Sequence, residues 1–108
     1  MQRILITGAS RGIGRAIAVR LAGKNKLLLL HGRDKSALQK TCRLVESKGA
    51  QAKVMVSDLS TARGVQKLIR QTGQNKIDVL VNNAGIAIVK PVSKITFPEW
   101  QKALFLSV

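Results

Sequence analysis

The stretch LITGASRGIG, Leu5 to Gly14, sets three glycines directly behind an apolar run. Arg3–Ile6 predicts a buried strand. Residues Gly12 to Gly23 predict a helix, with Ile13, Ile17 and Leu21 repeating at a period of four to make one apolar face. Glycines between a strand and a helix leave backbone bare where the helix begins. There the unpaired N–H groups and the helix dipole favour an anion. Strand, glycine loop and helix in that order form the context that a dinucleotide site requires. Gly8 permits the sharp turn, Gly12 lets the backbone approach a pyrophosphate, and Gly14 lets the helix lie close to the sheet. A glycine-rich turn without a ligand is the alternative, and the placement of the trio argues against it.

The remainder of the chain repeats the alternation. Strands are predicted at Lys26–His31, Gln51–Val56 and Ile77–Val81, each a near-continuous hydrophobic run of the kind that parallel strands buried on both faces show. A second helix runs from Asp34 as N-cap to Gly49 as the residue that ends it, with Leu38, Cys42 and Val45 facing inward. A third begins at Ser60 and buries Val65, Leu68 and Ile69. A fourth begins at Thr96, whose spacing to Glu99 forms a capping box ahead of Trp100, Ala103 and Leu104. The fold class predicted is therefore α/β: a Rossmann-type, doubly wound parallel sheet of which residues 1–108 hold the first four strands.

Charge is the unusual feature, with 19 Lys and Arg against 5 acids and a formal net charge of +14. Such a balance suits an anionic partner. The basic residues, however, are scattered over helix faces at Lys35, Lys40, Arg43, Lys48, Lys67 and Arg70, as solvated surfaces are. Aromatic residues reduce to Phe97, Trp100 and Phe105, too few for a single-strand stacking platform, and no nucleic-acid-binding motif is present. The expectation is no nucleic-acid partner. The leucine run Leu27–Leu30 is far too short to span a bilayer, and no secretory signal pattern follows Met1, so no membrane partner and a cytoplasmic location are expected. The single Cys42 excludes an internal disulfide and a multi-cysteine metal site, and suits a reducing compartment.

Three motifs carry a family resemblance. Thr7-Gly8 through Gly12-Ile13-Gly14 resembles the Thr-Gly-x-x-x-Gly-x-Gly signature of classical short-chain dehydrogenases/reductases. Asn82-Asn83-Ala84-Gly85 resembles their Asn-Asn-Ala-Gly motif after the fourth strand, and Asp58-Leu59 matches the pair that contacts adenine in that family. The resemblance covers the whole chain, with reductases of the 3-oxoacyl-[acyl-carrier-protein] type among the members it is similar to. It implies a cofactor site formed by Gly8, Ser10, Arg11, Gly12, Ile13, Gly14, Arg33, Asp58, Leu59, Asn83, Ala84 and Gly85. Asp58 could instead cap the third helix, and its motif neighbours favour the ligand role; the asparagines could also tie neighbouring strands together, and for them the two roles are compatible.

Cofactor choice turns on the end of the second strand. A carboxylate there holds the ribose 2′-OH of NAD, whereas arginine accommodates the 2′-phosphate of NADP. In His31-Gly32-Arg33-Asp34, Gly32 occupies the position where NAD-type relatives carry the acid, and Arg33 follows it. Asp34 then serves as the helix cap, and Arg11 in the glycine loop supplies a second guanidinium, so NADP(H) is the expected cofactor.

The family chemistry is hydride transfer between nicotinamide and a carbonyl or alcohol of a small molecule, with a Tyr-x-x-x-Lys pair assisted by a serine. This chain contains no tyrosine. Where relatives place an asparagine seven residues after the tryptophan of the fourth helix, it has Ser107. The expectation is the cofactor-binding part of a longer reductase, homo-oligomeric at full length and inactive as these 108 residues alone, its catalytic residues unknown. A non-catalytic nucleotide-binding module and, on charge alone, a basic nucleic-acid-binding protein are the other readings.

Overall fold

The computed structural model describes residues 1–73 and 76–83. Within them the chain runs β1 (Gln2–Thr7), α1 (Gly12–Leu21), β2 (Lys26–Gly32), α2 (Lys35–Glu46), β3 (Gln51–Val56), α3 (Ala62–Gly73) and β4 (Val79–Asn82). The four strands form one parallel sheet in the order β3-β2-β1-β4. The chain thus steps outward from β1 to β2 and β3, then crosses back to the other side of β1. The order reverses beside β1, and the crevice at the carboxyl ends of strands on either side of such a reversal is where α/β folds bind ligands.

Both faces of the sheet are covered, which explains the continuous apolar strands. Leu5, Leu27, Leu29, Met55 and Leu80 pack with Val65 and Leu68 of α3 on one face. The alternating residues Ile4, Ile6, Leu28 and Leu30 pack with Ala18 of α1 and with Leu38 and Val45 of α2 on the other.

The helix ends follow local chemistry. Asp34 caps α2 as predicted, accepting the Ala37 N–H at 3.1 Å. Gly49, at φ +94°, ends the same helix: its N–H bonds to Glu46 O and the Ala50 N–H bonds to Val45 O, the paired bonds of a Schellman turn.

Several expectations are corrected. Ile13 does not lie on the buried face of α1; it is 73% exposed, and the buried residues are Gly14 and Ala18, with Ile17 and Leu21 only half-buried. The helix lies too close to the sheet for larger side chains. On α2, Leu38 and Val45 are buried together with Ala37 and Thr41, while Cys42 is half-buried. Helix α3 begins at Ala62 rather than Ser60, because Thr61 caps it through Oγ1 to the Gly64 N–H at 3.0 Å. Of its predicted inner residues, Val65 and Leu68 are buried and Ile69 partly so. Strand β4 starts at Val79, since Asp78 turns its carboxylate onto the Arg3 N–H and leaves Ile77 in the core ahead of the strand. The predicted fourth helix, with Thr96, Trp100 and Ser107, lies outside the described residues, as do Ala84 and Gly85.

Candidate functional site

The site is built where β1, β2 and β3 end. Gly8 and Gly12 adopt φ of +65° and +60°, a left-handed conformation that residues with a Cβ rarely take. A Cβ at Gly12 would meet nothing within 4 Å, so the loop turns bare backbone to open space. Gly14 has the opposite reason: a Cβ there would lie 1.9 Å from Gly8 O and 2.9 Å from Asn83 Nδ2. Gly8 and Gly12 are therefore fixed by backbone conformation and Gly14 by close packing.

The loop is held at fixed points. Ala9 N–H bonds to His31 O at 2.8 Å, Thr41 Oγ1 donates to Ala9 O at 2.8 Å, and Asn83 Nδ2 donates to Gly8 O at 3.3 Å. Arg15 reaches from the first turn of α1 to Ser10 O, Ala37 O and Thr41 Oγ1, tying loop and α2 together. At the floor, Thr7 Oγ1 donates to Asn82 Oδ1 at 2.8 Å between the ends of β1 and β4. The asparagines do tie neighbouring segments together, the compatible role noted from the sequence.

A cavity of about 560 Å³ opens above this frame, within the range of small-molecule sites. Its walls are the glycine loop at Gly8, Ser10 and Arg11, the end of β2 from His31 to Asp34, and the β3–α3 turn from Asp58 to Ser60. Among the predicted site residues the structure thus gathers Gly8, Ser10, Arg11, Arg33, Asp58 and Leu59 around one space. Gly12 and Gly14 shape the adjoining loop, Asn83 braces it, and Ile13 projects into solvent at the helix start.

Charges in the cavity are set by short contacts. Asp58 Oδ1 accepts from Ser60 Oγ at 2.6 Å and from Ser60 N–H at 2.9 Å. These bonds, with the nearby positive charge of Arg33, hold its carboxyl below the usual carboxylate range. It folds over its own turn, and Thr61, not Asp58, caps α3. Asp34 is likewise held ionised, first by the Ala37 N–H and then by Arg11, whose Nη2 meets Asp34 Oδ2 at 2.5 Å. Helix α1 differs from α2 and α3. Its capping residue Arg11 makes no side-chain cap bond, whereas Asp34 and Thr61 cap the other two. The first N–H donors of α1 are left for something other than a protein side chain.

Sequence reasoning missed His31, Thr41 and Arg15. His31 is a buried part of the cavity wall, with Nε2 against Ser57 O at 3.1 Å and Ser57 Oγ at 3.0 Å and with Nδ1 buried and unpartnered. The available signal was a polar residue closing a leucine run. The Cys42 thiol is pushed up to about 11, first by burial and then by Glu46, which leaves little thiolate at neutral pH. Among the described residues no helix is long and apolar enough to cross a membrane.

Comparison with known proteins agrees with this geometry. A family model described as short chain dehydrogenase matches residues 2–108. The 3-oxoacyl-[acyl-carrier-protein] reductase of Synechocystis is 33% identical over 110 residues, spanning 99% of this chain and 44% of that protein. A 3-oxoacyl (acyl-carrier-protein) reductase from Agrobacterium tumefaciens C58, solved with NADP bound, superposes with a TM-score of 0.69 at 34% identity, covering 95% of this chain and 41% of that one. An NAD+-bound xylitol dehydrogenase superposes with a TM-score of 0.65 at 36% identity, covering 79% and 34%. The chain spans less than half the length of the curated relatives it matches.

Proposed function

The chain belongs to the short-chain dehydrogenase family, and from that premise we propose that it forms the cofactor-binding part of an NADPH-dependent oxidoreductase acting on a carbonyl or alcohol of a small molecule. The observation that carries this reading is the start of α1. Two helices of the fold close their first turns with Asp34 and Thr61, whereas α1 opens without a side-chain cap behind bare glycine backbone. Uncapped donors at a helix N-terminus suit a pyrophosphate. The neighbouring cavity has room and donors for an adenosine: Asp58 can accept from an exocyclic amine, and Leu59 offers an apolar wall. A bound nicotinamide would supply or accept the hydride; the residues described here bind and orient.

Preference for the 2′-phosphate form is supported by Arg11 and Arg33, two guanidiniums on one cavity rim, with Gly32 where a ribose-binding acid would otherwise stand. A hydrogen bond to a charged group contributes about 1.5–3 kcal/mol. Arg33→Ala is therefore expected to weaken NADPH binding by roughly ten- to a hundredfold and to change NADH little. Lys48→Ala, on the far end of the α2 turn, is the control for general positive charge. That long-range attraction would weaken both cofactors alike and fade with salt. Titration of the full protein and these variants with both cofactors at two salt concentrations tests the reading. Wild type preferring NADH, or an unchanged NADPH to NADH ratio in Arg33→Ala, would overturn it and make Asp34 the ribose ligand.

A further inference from the structure

Asp34 uses its two oxygens for two purposes. Oδ1 caps α2 through the Ala37 N–H at 3.1 Å, and Oδ2 takes the Arg11 guanidinium at 2.5 Å. The Arg11 and Asp34 side chains are 70% and 46% exposed. An ion pair this exposed adds little to stability, so its consequence lies elsewhere. The pair spans the cavity rim from the glycine loop to the start of α2, and it engages one of the two cations offered to a 2′-phosphate.

A Cβ at Gly32 would lie 2.5 Å from Ser10 Oγ and 3.2 Å from Leu38 Cδ2, so a side chain there would have to displace the glycine loop's serine. The carboxylate nearest the tip of β2 stands two residues later, at Asp34. There it also meets an arginine that the loop brings across.

Resting on the NADPH reading above, we propose that Asp34 is a specificity-determining residue that competes with the ligand's 2′-phosphate for Arg11. The phosphate must take Arg11 from a carboxylate that remains in place as the helix cap, and it then lies beside that negative charge. An uncharged ribose 2′-OH meets no such opposition and can donate to the same oxygen. Asp34 thus draws the affinities for phosphorylated and unphosphorylated cofactor together, in opposition to Arg33.

The probes are 2′,5′-ADP and 5′-AMP, which differ by the phosphate in question, measured by calorimetry on the full protein. Asparagine caps helices as well as aspartate does, so Asp34→Asn removes the charge and keeps the fold; Asp34→Ser, another capping side chain, must move in the same direction. The ratio of 2′,5′-ADP to 5′-AMP affinity is expected to rise about three- to tenfold in both variants. In an Arg11→Gln background that gain is expected to shrink to less than about twofold, because the contested cation is gone. An unchanged or lower ratio in Asp34→Asn overturns the proposal, as does a gain that persists in full without Arg11. A wild type and an Asp34→Asn variant that both ignore the 2′-phosphate overturn the NADPH reading itself, and this inference with it.

Discussion

Acid should destabilise this protein through His31 well before it reaches the carboxylates. The imidazole is 4% exposed. Burial pushes its pKa from 6.5 down to about 4, against a smaller upward pull from the Ser57 backbone. A base whose folded pKa lies below its unfolded one is neutral in both states above pH 6.5, and nothing is lost there. As pH falls below 6.5 the unfolded chain takes up a proton that the folded chain refuses until about pH 4. Across that window stability declines by up to about 1.4 kcal/mol per pH unit, for a total of about 3 kcal/mol. That is a large share of the 5–15 kcal/mol typical of a folded domain. Asp34 and Asp58 fall in a different window. Their pKa values are lowered by bonds in the folded state, so the stability they contribute is present above the ordinary carboxylate range and is lost only as pH falls through and below it.

The variant that isolates the effect is His31→Gln, whose amide nitrogen can still donate to Ser57 O but does not titrate. Urea unfolding of both proteins at pH 7, 6, 5 and 4.5 gives the difference in stability directly. The variant is expected to be the weaker protein at pH 7, through lost packing, and to gain on wild type by up to about 3 kcal/mol as pH approaches 4. His31 is the one histidine of these residues, so its proton resonances give an independent midpoint, expected near 4 in the folded state. Parallel stability curves, or a folded-state midpoint near 6.5, would refute the argument and mean that water reaches the ring.

Two further outcomes follow from steric and capping contacts. Gly14→Ala places a methyl 1.9 Å from a backbone carbonyl that cannot swing aside, so α1 must lift from the sheet; a loss of about 3 kcal/mol by denaturant unfolding is expected, together with loss of nucleotide binding. Thr61→Ala is expected to cost about 1 kcal/mol by removing the cap on the Gly64 N–H, whereas Asp58→Ala, which removes no cap from α3, should cost less in the same assay.

What the sequence made legible depends on the kind of contact involved. Strands β1 and β2 were visible because each is buried on both faces, and a residue of either parity must then be apolar. The cap at Asp34 was visible because the side chain that makes it is of a type chosen for that bond. His31 was not: a polar residue at the end of a leucine run is equally consistent with a strand that has ended and with one whose last side chain is buried and bonded to a neighbour. Only β3, arriving with Ser57, decides the matter. The buried face of α1 failed for a further reason. Hydrophobic periodicity finds faces rich in large side chains, and it pointed to Ile13, Ile17 and Leu21.

A helix pressed onto backbone buries small residues instead, and these carry little hydropathy signal. Gly14 against Gly8 O in α1 has a counterpart in α3, where a Cβ at Gly64 would lie 1.7 Å from Asp58 O. Both glycines sit in the first turns of their helices and face the carbonyl of a residue just past a strand's end, on opposite faces of the sheet. The same demand for close approach therefore shapes both walls of the cavity. In the glycine loop a motif of three glycines at fixed spacing revealed it. At Gly64 a lone glycine inside a helical pattern gave no such spacing, and only the approach of α3 to the Asp58 turn shows why a side chain cannot stand there.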